Sequence, residues 1–111
     1  ELSRATPRTL TFCRFPLTDG TGNRPALLAL AVRTVAALIA SDTPTLVCCG
    51  NGESRAPAVV AVALAAVEHG SPEDWLKRVA LHHPSDVCPG LWAELVATLP
   101  HVRELAPGPT D

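Results

Sequence analysis

Apolar residues recur at the three-to-four-residue spacing of an α-helix in several stretches of the chain. The first stretch has Asn23 in position to cap a helix, Pro25 in the first turn and an end near Ala40. Its apolar positions are Leu28, Val32, Val35 and Ile39. Residues 58–69 are apolar on nearly every face, which predicts a buried helix that ends at Gly70.

Two further helices are predicted in the last third of the chain. Ser71 is placed to cap a helix with Pro72 at its first position, and this helix should end near Pro84. The next begins at residue 89 or 90 and ends near residue 99, with leucines at 91, 95 and 99 on one face.

Two shorter segments favour β-strands. Residues 9–15 mix β-branched, aromatic and polar side chains in rough alternation, and residues 16–22 then supply turn-forming residues. Residues 45–48 form a short apolar run without alternation, as expected for a strand covered on both faces. Strands alternating with helices predict an α/β domain, with a small mostly parallel sheet flanked by helices and a site at the carboxyl end of the second strand.

Composition favours one folded unit. The chain has 111 residues, of which 47% are hydrophobic and 18% are charged, so we expect one domain over residues 1–105 and a flexible tail over 106–111. A net charge of -2 provides no broad basic surface, so we expect no nucleic-acid partner. We also expect no membrane span, because the longest apolar stretch is interrupted by Arg33 and Thr34.

The cysteines do not form a recognisable disulfide or metal pattern. Cys13, Cys48, Cys49 and Cys88 are too few and too irregularly spaced for a disulfide scaffold, and Cys48 and Cys49 are adjacent. No C-x2-C or H-x3-H spacing accompanies them, so we expect neither a metal nor another cofactor. Reduced thiols predict a cytoplasmic location.

The loop between the second strand and the buried helix carries the candidate chemistry. Its sequence is Cys-Gly-Asn-Gly-Glu-Ser-Arg over residues 49–55. A strand that enters a glycine-containing loop before a helix directs main-chain N–H groups toward the loop, where they can bind an anion. The same groups stabilise a thiolate, which makes Cys49 a candidate nucleophile. Arg55 can hold two phosphoryl oxygens in its planar fork.

We therefore assign phosphate binding to this loop as a whole. Gly50 and Gly52 allow the backbone to curl tightly, and the side chain of Glu53 is expected to face solvent, because its charge would disfavour phosphate. The predicted phosphate-binding residues are Gly50, Asn51, Gly52, Glu53, Ser54 and Arg55.

These residues resemble the cysteine-dependent protein-tyrosine and dual-specificity phosphatases. Cys49-x-x-Gly52-x-x-Arg55 matches the C-x-x-G-x-x-R loop of that family, and Phe-Pro-Leu-Thr-Asp at residues 15–19 is similar to its general-acid loop. His-Pro at residues 83–84 and Pro-Gly-Leu-Trp-Ala-Glu-Leu at residues 89–95 are similar to its C-terminal region. The likeness covers residues 15–99, and it implies a phosphotyrosine-phosphatase-like fold with N-terminal strands missing or reduced.

The resemblance implies a function and a mechanism. It implies hydrolysis of phosphotyrosine and phosphoserine or phosphothreonine in proteins through phospho-Cys49. Asp19 would act first as a general acid and then as a base, and Asn23 resembles a polar residue that often follows this acid. From the residues alone, Asp19 before Gly20 is also an ordinary turn former.

Three departures from the family leave other functions open. Cys48 replaces a histidine that helps to lower the thiol pKa, Ala56 replaces a hydroxyl residue that helps the second step, and few residues precede the acid loop. One alternative is therefore a pseudophosphatase that binds phosphate without turnover. A second is a rhodanese-like sulfurtransferase, which also uses a loop cysteine before a helix, although the offsets of Gly52 and Arg55 favour phosphate.

Overall fold

Four helices and two short strands make up the described part of the computed structural model, which covers residues 11–43, 45–48, 54–82 and 85–105. Their order is β1 (Thr11–Arg14), α1 (Pro25–Ala40), β2 (Thr45–Cys48), α2 (Arg55–Glu68), α3 (Pro72–His82) and α4 (Pro89–Leu105). The predicted tail over residues 106–111, and the His-Pro pair at 83–84, lie outside the described residues.

Helix α2 lies at the centre of the molecule. It packs against α1, α3 and α4 and also contacts β2. Most of its side chains are alanine or valine, and nine of its fourteen residues are buried. Small side chains let neighbouring helices approach closely from several directions. The prediction of a buried helix here is confirmed, although the helix begins at Arg55, three residues before the apolar run.

Helices α1 and α4 complete the hydrophobic core. Leu28, Val32 and Val35 of α1 are buried, as the helical spacing predicts. Leu91 and Leu95 of α4 are fully buried. Among the four described helices, none combines the length and the apolar character needed to cross a membrane.

Helix α4 continues to Leu105, six residues beyond its predicted end and through Pro100. Tertiary contacts explain the extension. Val102 is fully buried, and Nη2 of Arg103 donates hydrogen bonds to the carbonyl oxygens of Ala65 and Gly70 at 3.2 Å each. Packing on both sides of the proline therefore outweighs the hydrogen bond that it removes from the helix.

The predicted α/β fold, with its mostly parallel sheet flanked by helices, is wrong. The described residues form a four-helix globule, and their only extended structure is one parallel ladder in which Thr11 lies opposite Thr45 and Arg14 opposite Cys48. Among the side chains whose burial the structure describes, those of the buried core belong to helices, apart from Leu17. Two four-residue strands offer too little surface to separate two layers of helices, so helix–helix contacts form the core instead.

Candidate active site

The loop between β1 and α1 is held by main-chain turns and one buried side chain. The N–H of Leu17 donates to the carbonyl of Phe15 at 2.8 Å, and the N–H of Gly20 donates to the carbonyl of Thr18 at 2.9 Å. Leu17 is only 5% exposed and joins the hydrophobic core. Gly22 has a φ of 90°, a conformation that side chains with a Cβ disfavour. The segment that contains Asp19 therefore has a defined conformation.

The side chain of Asn23 closes this loop. Its Oδ1 accepts the N–H of Thr18 at 2.6 Å, and its Nδ2 donates to the carbonyls of Thr18 and Gly20, each at 3.0 Å. Asn23 was predicted to cap α1, and this is wrong. The N-cap is Arg24, which makes no side-chain capping hydrogen bond. The amide of Asn23 is instead committed to the loop on either side of Asp19.

Glu94 of α4 connects the loop to the helical core. Its Oε2 accepts the N–H of Gly22 at 2.8 Å, and its Oε1 accepts the N–H of Asn23 at 3.2 Å and Nδ2 of Asn23 at 3.3 Å. The hydrogen bond from Gly22 is the main cause that lowers the pKa of this carboxyl, so it is ionised at neutral pH. Sequence reasoning missed this role. The available signal was an acid placed between apolar residues in the first half of α4.

Ser54 joins the loop to the start of α2. Its hydroxyl donates to Oδ1 of Asp19 at 2.5 Å and accepts the N–H of Cys88 at 3.0 Å. Ser54 is 5% exposed and occupies the N-cap position of α2, yet it makes no side-chain capping hydrogen bond. The hydroxyl that would ordinarily cap the helix is used to hold Asp19. Two predicted site residues that are 35 positions apart are thus in direct contact.

Arg55, the first residue of α2, directly follows Ser54 and also contacts the loop that contains Asp19. Its Nη1 donates to the carbonyl of Leu17 at 3.1 Å, so the guanidinium rests against the loop that contains Asp19. Asp19, Ser54 and Arg55 therefore come together in the folded chain.

The remaining predicted site residues lie outside the described part of the chain. They are the candidate nucleophile Cys49 and the loop residues Gly50, Asn51, Gly52 and Glu53. Cys49 directly follows the last residue of β2, and Ser54 directly precedes α2.

Both tryptophans of the chain have packing roles. Trp75 and Trp92 pack against the hydrophobic core. Nε1 of Trp75 also donates to the carbonyl of His69 at 2.6 Å. Within residues 11–43, 45–48, 54–82 and 85–105, no cluster of three or more histidine, cysteine, aspartate or glutamate residues could hold a metal ion.

Gly90 is required for the close contact between the loop and α4. A Cβ placed on Gly90 would lie 2.6 Å from Cγ2 of Thr21. We expect Gly90→Ala to destabilise the protein by about 1–2 kcal/mol, as overpacking does. In a Thr21→Ser background, which lacks this methyl group, the same change should cost at least about 0.5 kcal/mol less. Urea denaturation of the wild type, the two single variants and the double variant measures the free energies of unfolding. An equal loss of stability from Gly90→Ala in both backgrounds would contradict the contact.

Comparison with family models, with curated proteins and with solved structures finds no match to this chain.

Proposed function

We propose that this protein hydrolyses phosphate monoesters, with phosphotyrosine and phosphoserine or phosphothreonine in proteins as its substrates, through a phosphocysteine intermediate at Cys49. The observation that carries the proposal is the hydrogen bond between Ser54 and Asp19 beside Arg55. It brings a candidate acid to the end of a candidate phosphate loop. These contacts, together with the cysteine loop motif over residues 49–55, support the proposal.

In the first step, the thiolate of Cys49 would attack phosphorus, and the ester P–O bond would break. Asp19 would give its proton to the leaving oxygen. Its Oδ1 accepts the Ser54 hydroxyl, so the transferable proton would be carried on Oδ2. This division of tasks would keep the carboxyl oriented while it acts as an acid.

Arg55 would bind the phosphoryl group during this step. A guanidinium has five N–H donors in a fixed plane, and Nη1 donates to the carbonyl of Leu17. The other donors of the fork are suited to two oxygens of the phosphoryl group. The bond to Leu17 would fix the plane of the guanidinium before substrate arrives, which lowers the entropic cost of binding.

In the second step, Asp19 would take a proton from water as the water attacks the phosphocysteine and the S–P bond breaks. Ala56 is 8% exposed and occupies the position where the resembling family offers a hydroxyl to the departing thiolate. Without that hydroxyl the departing sulfur has less stabilisation. We therefore expect the second step to be slow compared with the first.

Ala56 also favours a second candidate function, phosphate binding without turnover. Release of phosphate from an aryl phosphate, measured together with binding of a phosphopeptide, distinguishes the two. Turnover of the aryl phosphate would exclude the binding-only function, and phosphopeptide binding without turnover would exclude the phosphatase activity. Transfer of sulfur from thiosulfate to cyanide, without phosphate release, would instead identify a sulfurtransferase.

A further inference from the structure

Glu94 and the loop that contains Asp19 meet through both oxygens of one carboxylate. Oε2 faces the main chain of Gly22, and Oε1 faces the main chain and the side chain of Asn23. Glu94 lies 72 positions from Gly22 in sequence and stands on a helix whose neighbouring leucines, Leu91 and Leu95, are fully buried. The carboxylate of Glu94 thus attaches the loop to a rigid element.

The chemistry of this contact requires an ionised acid. All three groups that face Glu94 are N–H donors, and a carboxylate accepts hydrogen bonds at both of its oxygens. A glutamine would offer one accepting oxygen and would turn an NH₂ group toward another N–H. One donor would lose its partner, and two donors would face each other. The contact therefore distinguishes glutamate from its nearest neutral analogue.

The contact reaches Asp19 through Asn23. Nδ2 of Asn23 donates to the carbonyls of Thr18 and Gly20, the two residues on either side of Asp19. On its other side, Asp19 accepts the hydroxyl of Ser54. The main chain on either side of Asp19 is therefore held by α4 through Asn23, and its carboxyl is held by the start of α2 through Ser54.

We propose that Glu94 is a positioning residue which, as a carboxylate, holds Asp19 in the orientation needed for proton donation. This inference rests on the proposed function of Asp19 as a general acid. Displacement of a catalytic group by about 1 Å can reduce a rate by about 10²-fold. We therefore expect Glu94→Gln to reduce turnover of a phosphate ester with a poor leaving group by about 10- to 100-fold.

The test compares two substrates and one property that does not depend on activity. Glu94→Gln should slow hydrolysis of phenyl phosphate far more than hydrolysis of p-nitrophenyl phosphate, whose leaving group needs less protonation. Amide hydrogen exchange at Gly22 and Asn23, measured by NMR, should become faster in the same variant. Glu68→Gln removes an exposed carboxylate at the end of α2 and serves as the matched control, which should change neither measurement.

Each outcome has a definite meaning. Equal loss on both substrates would overturn the positioning role, because a general structural defect does not depend on the leaving group. Unchanged exchange at Gly22 and Asn23 would overturn the anchor itself. If the wild-type protein releases no phosphate from either ester, the proposed function and the positioning role of Glu94 in it both fail. Faster exchange in Glu94→Gln would still show in that case that the anchor is real.

Discussion

Replacing Cys49 by serine should reduce phosphate release from p-nitrophenyl phosphate by at least about 10³-fold, which corresponds to about 4 kcal/mol of activation free energy. The reason is that a thiolate is the nucleophile in the proposed mechanism, and a serine hydroxyl is not ionised at neutral pH. Phosphopeptide binding should persist, because the main-chain N–H groups of the loop and Arg55 are unchanged. Steady-state kinetics and a direct binding measurement on the same preparation check both expectations.

Cys88→Ser is the matched control for this substitution. It makes the same change from thiol to hydroxyl and retains the main-chain N–H that Ser54 accepts. Its activity should stay within about twofold of the wild type, a change of about 0.4 kcal/mol. Similar losses in the two variants would show that either change damages the fold, and would remove the assignment of Cys49 as nucleophile.

Asp19→Asn should reduce the rate on poor leaving groups by about 10²- to 10⁴-fold and largely spare activated ones. Asparagine keeps the Oδ1 that accepts the Ser54 hydroxyl, so the contact between the loop and α2 can survive the substitution. What it lacks is the proton for the leaving oxygen. We therefore expect kcat/KM of the variant to fall more steeply than that of the wild type as the pKa of the leaving group increases, which measurements across a series of aryl phosphates can check.

A second aspartate provides the control for this prediction. Asp42 is exposed and has a φ of 60°, a conformation that asparagine tolerates as well as aspartate does. Asp42→Asn should leave the leaving-group dependence unchanged. If Asp19→Asn lowers the rates of activated and poor substrates equally, Asp19 is a turn residue and not the acid.

The helices could be predicted from the sequence because their information is local. Apolar spacing indicated α1, the buried α2 and the leucine face of α4. The bounds of α4 could not be found in this way, since Pro100 is a local signal for an end. The helix continues because Val102 is buried and Arg103 binds carbonyls of α2 and of the turn after it, and those contacts exist only in the folded chain.

The extent of the sheet, in contrast, could not be predicted from local sequence patterns. The strand signals at residues 9–15 and 45–48 were short, and the rest of the expected α/β architecture came from resemblance to a family. Local alternation does not determine how many strands assemble into a sheet. In the described residues two strands pair, and the buried surface of α2 is covered mainly by other helices.

The candidate site was predicted in part. Asp19, Ser54 and Arg55 were named from the sequence, and the structure brings them together. The roles of Ser54 and Glu94 in holding the loop could not be predicted, because each depends on hydrogen bonds between residues far apart in sequence. Asn23 was assigned to the wrong partner for the same reason, since a capping signal is local and its actual hydrogen bonds depend on the fold of the loop.

The most direct test of the proposed function is to trap a phosphorylated Cys49. The protein is mixed with p-nitrophenyl phosphate, quenched rapidly with acid and digested, and the peptide that contains Cys49 is examined by mass spectrometry. We predict a phosphate group on Cys49 in the wild type, at a level raised by the slow second step, and none in Cys49→Ser. Turnover of the ester without any such adduct, or an adduct of equal amount in Cys49→Ser, would contradict the mechanism.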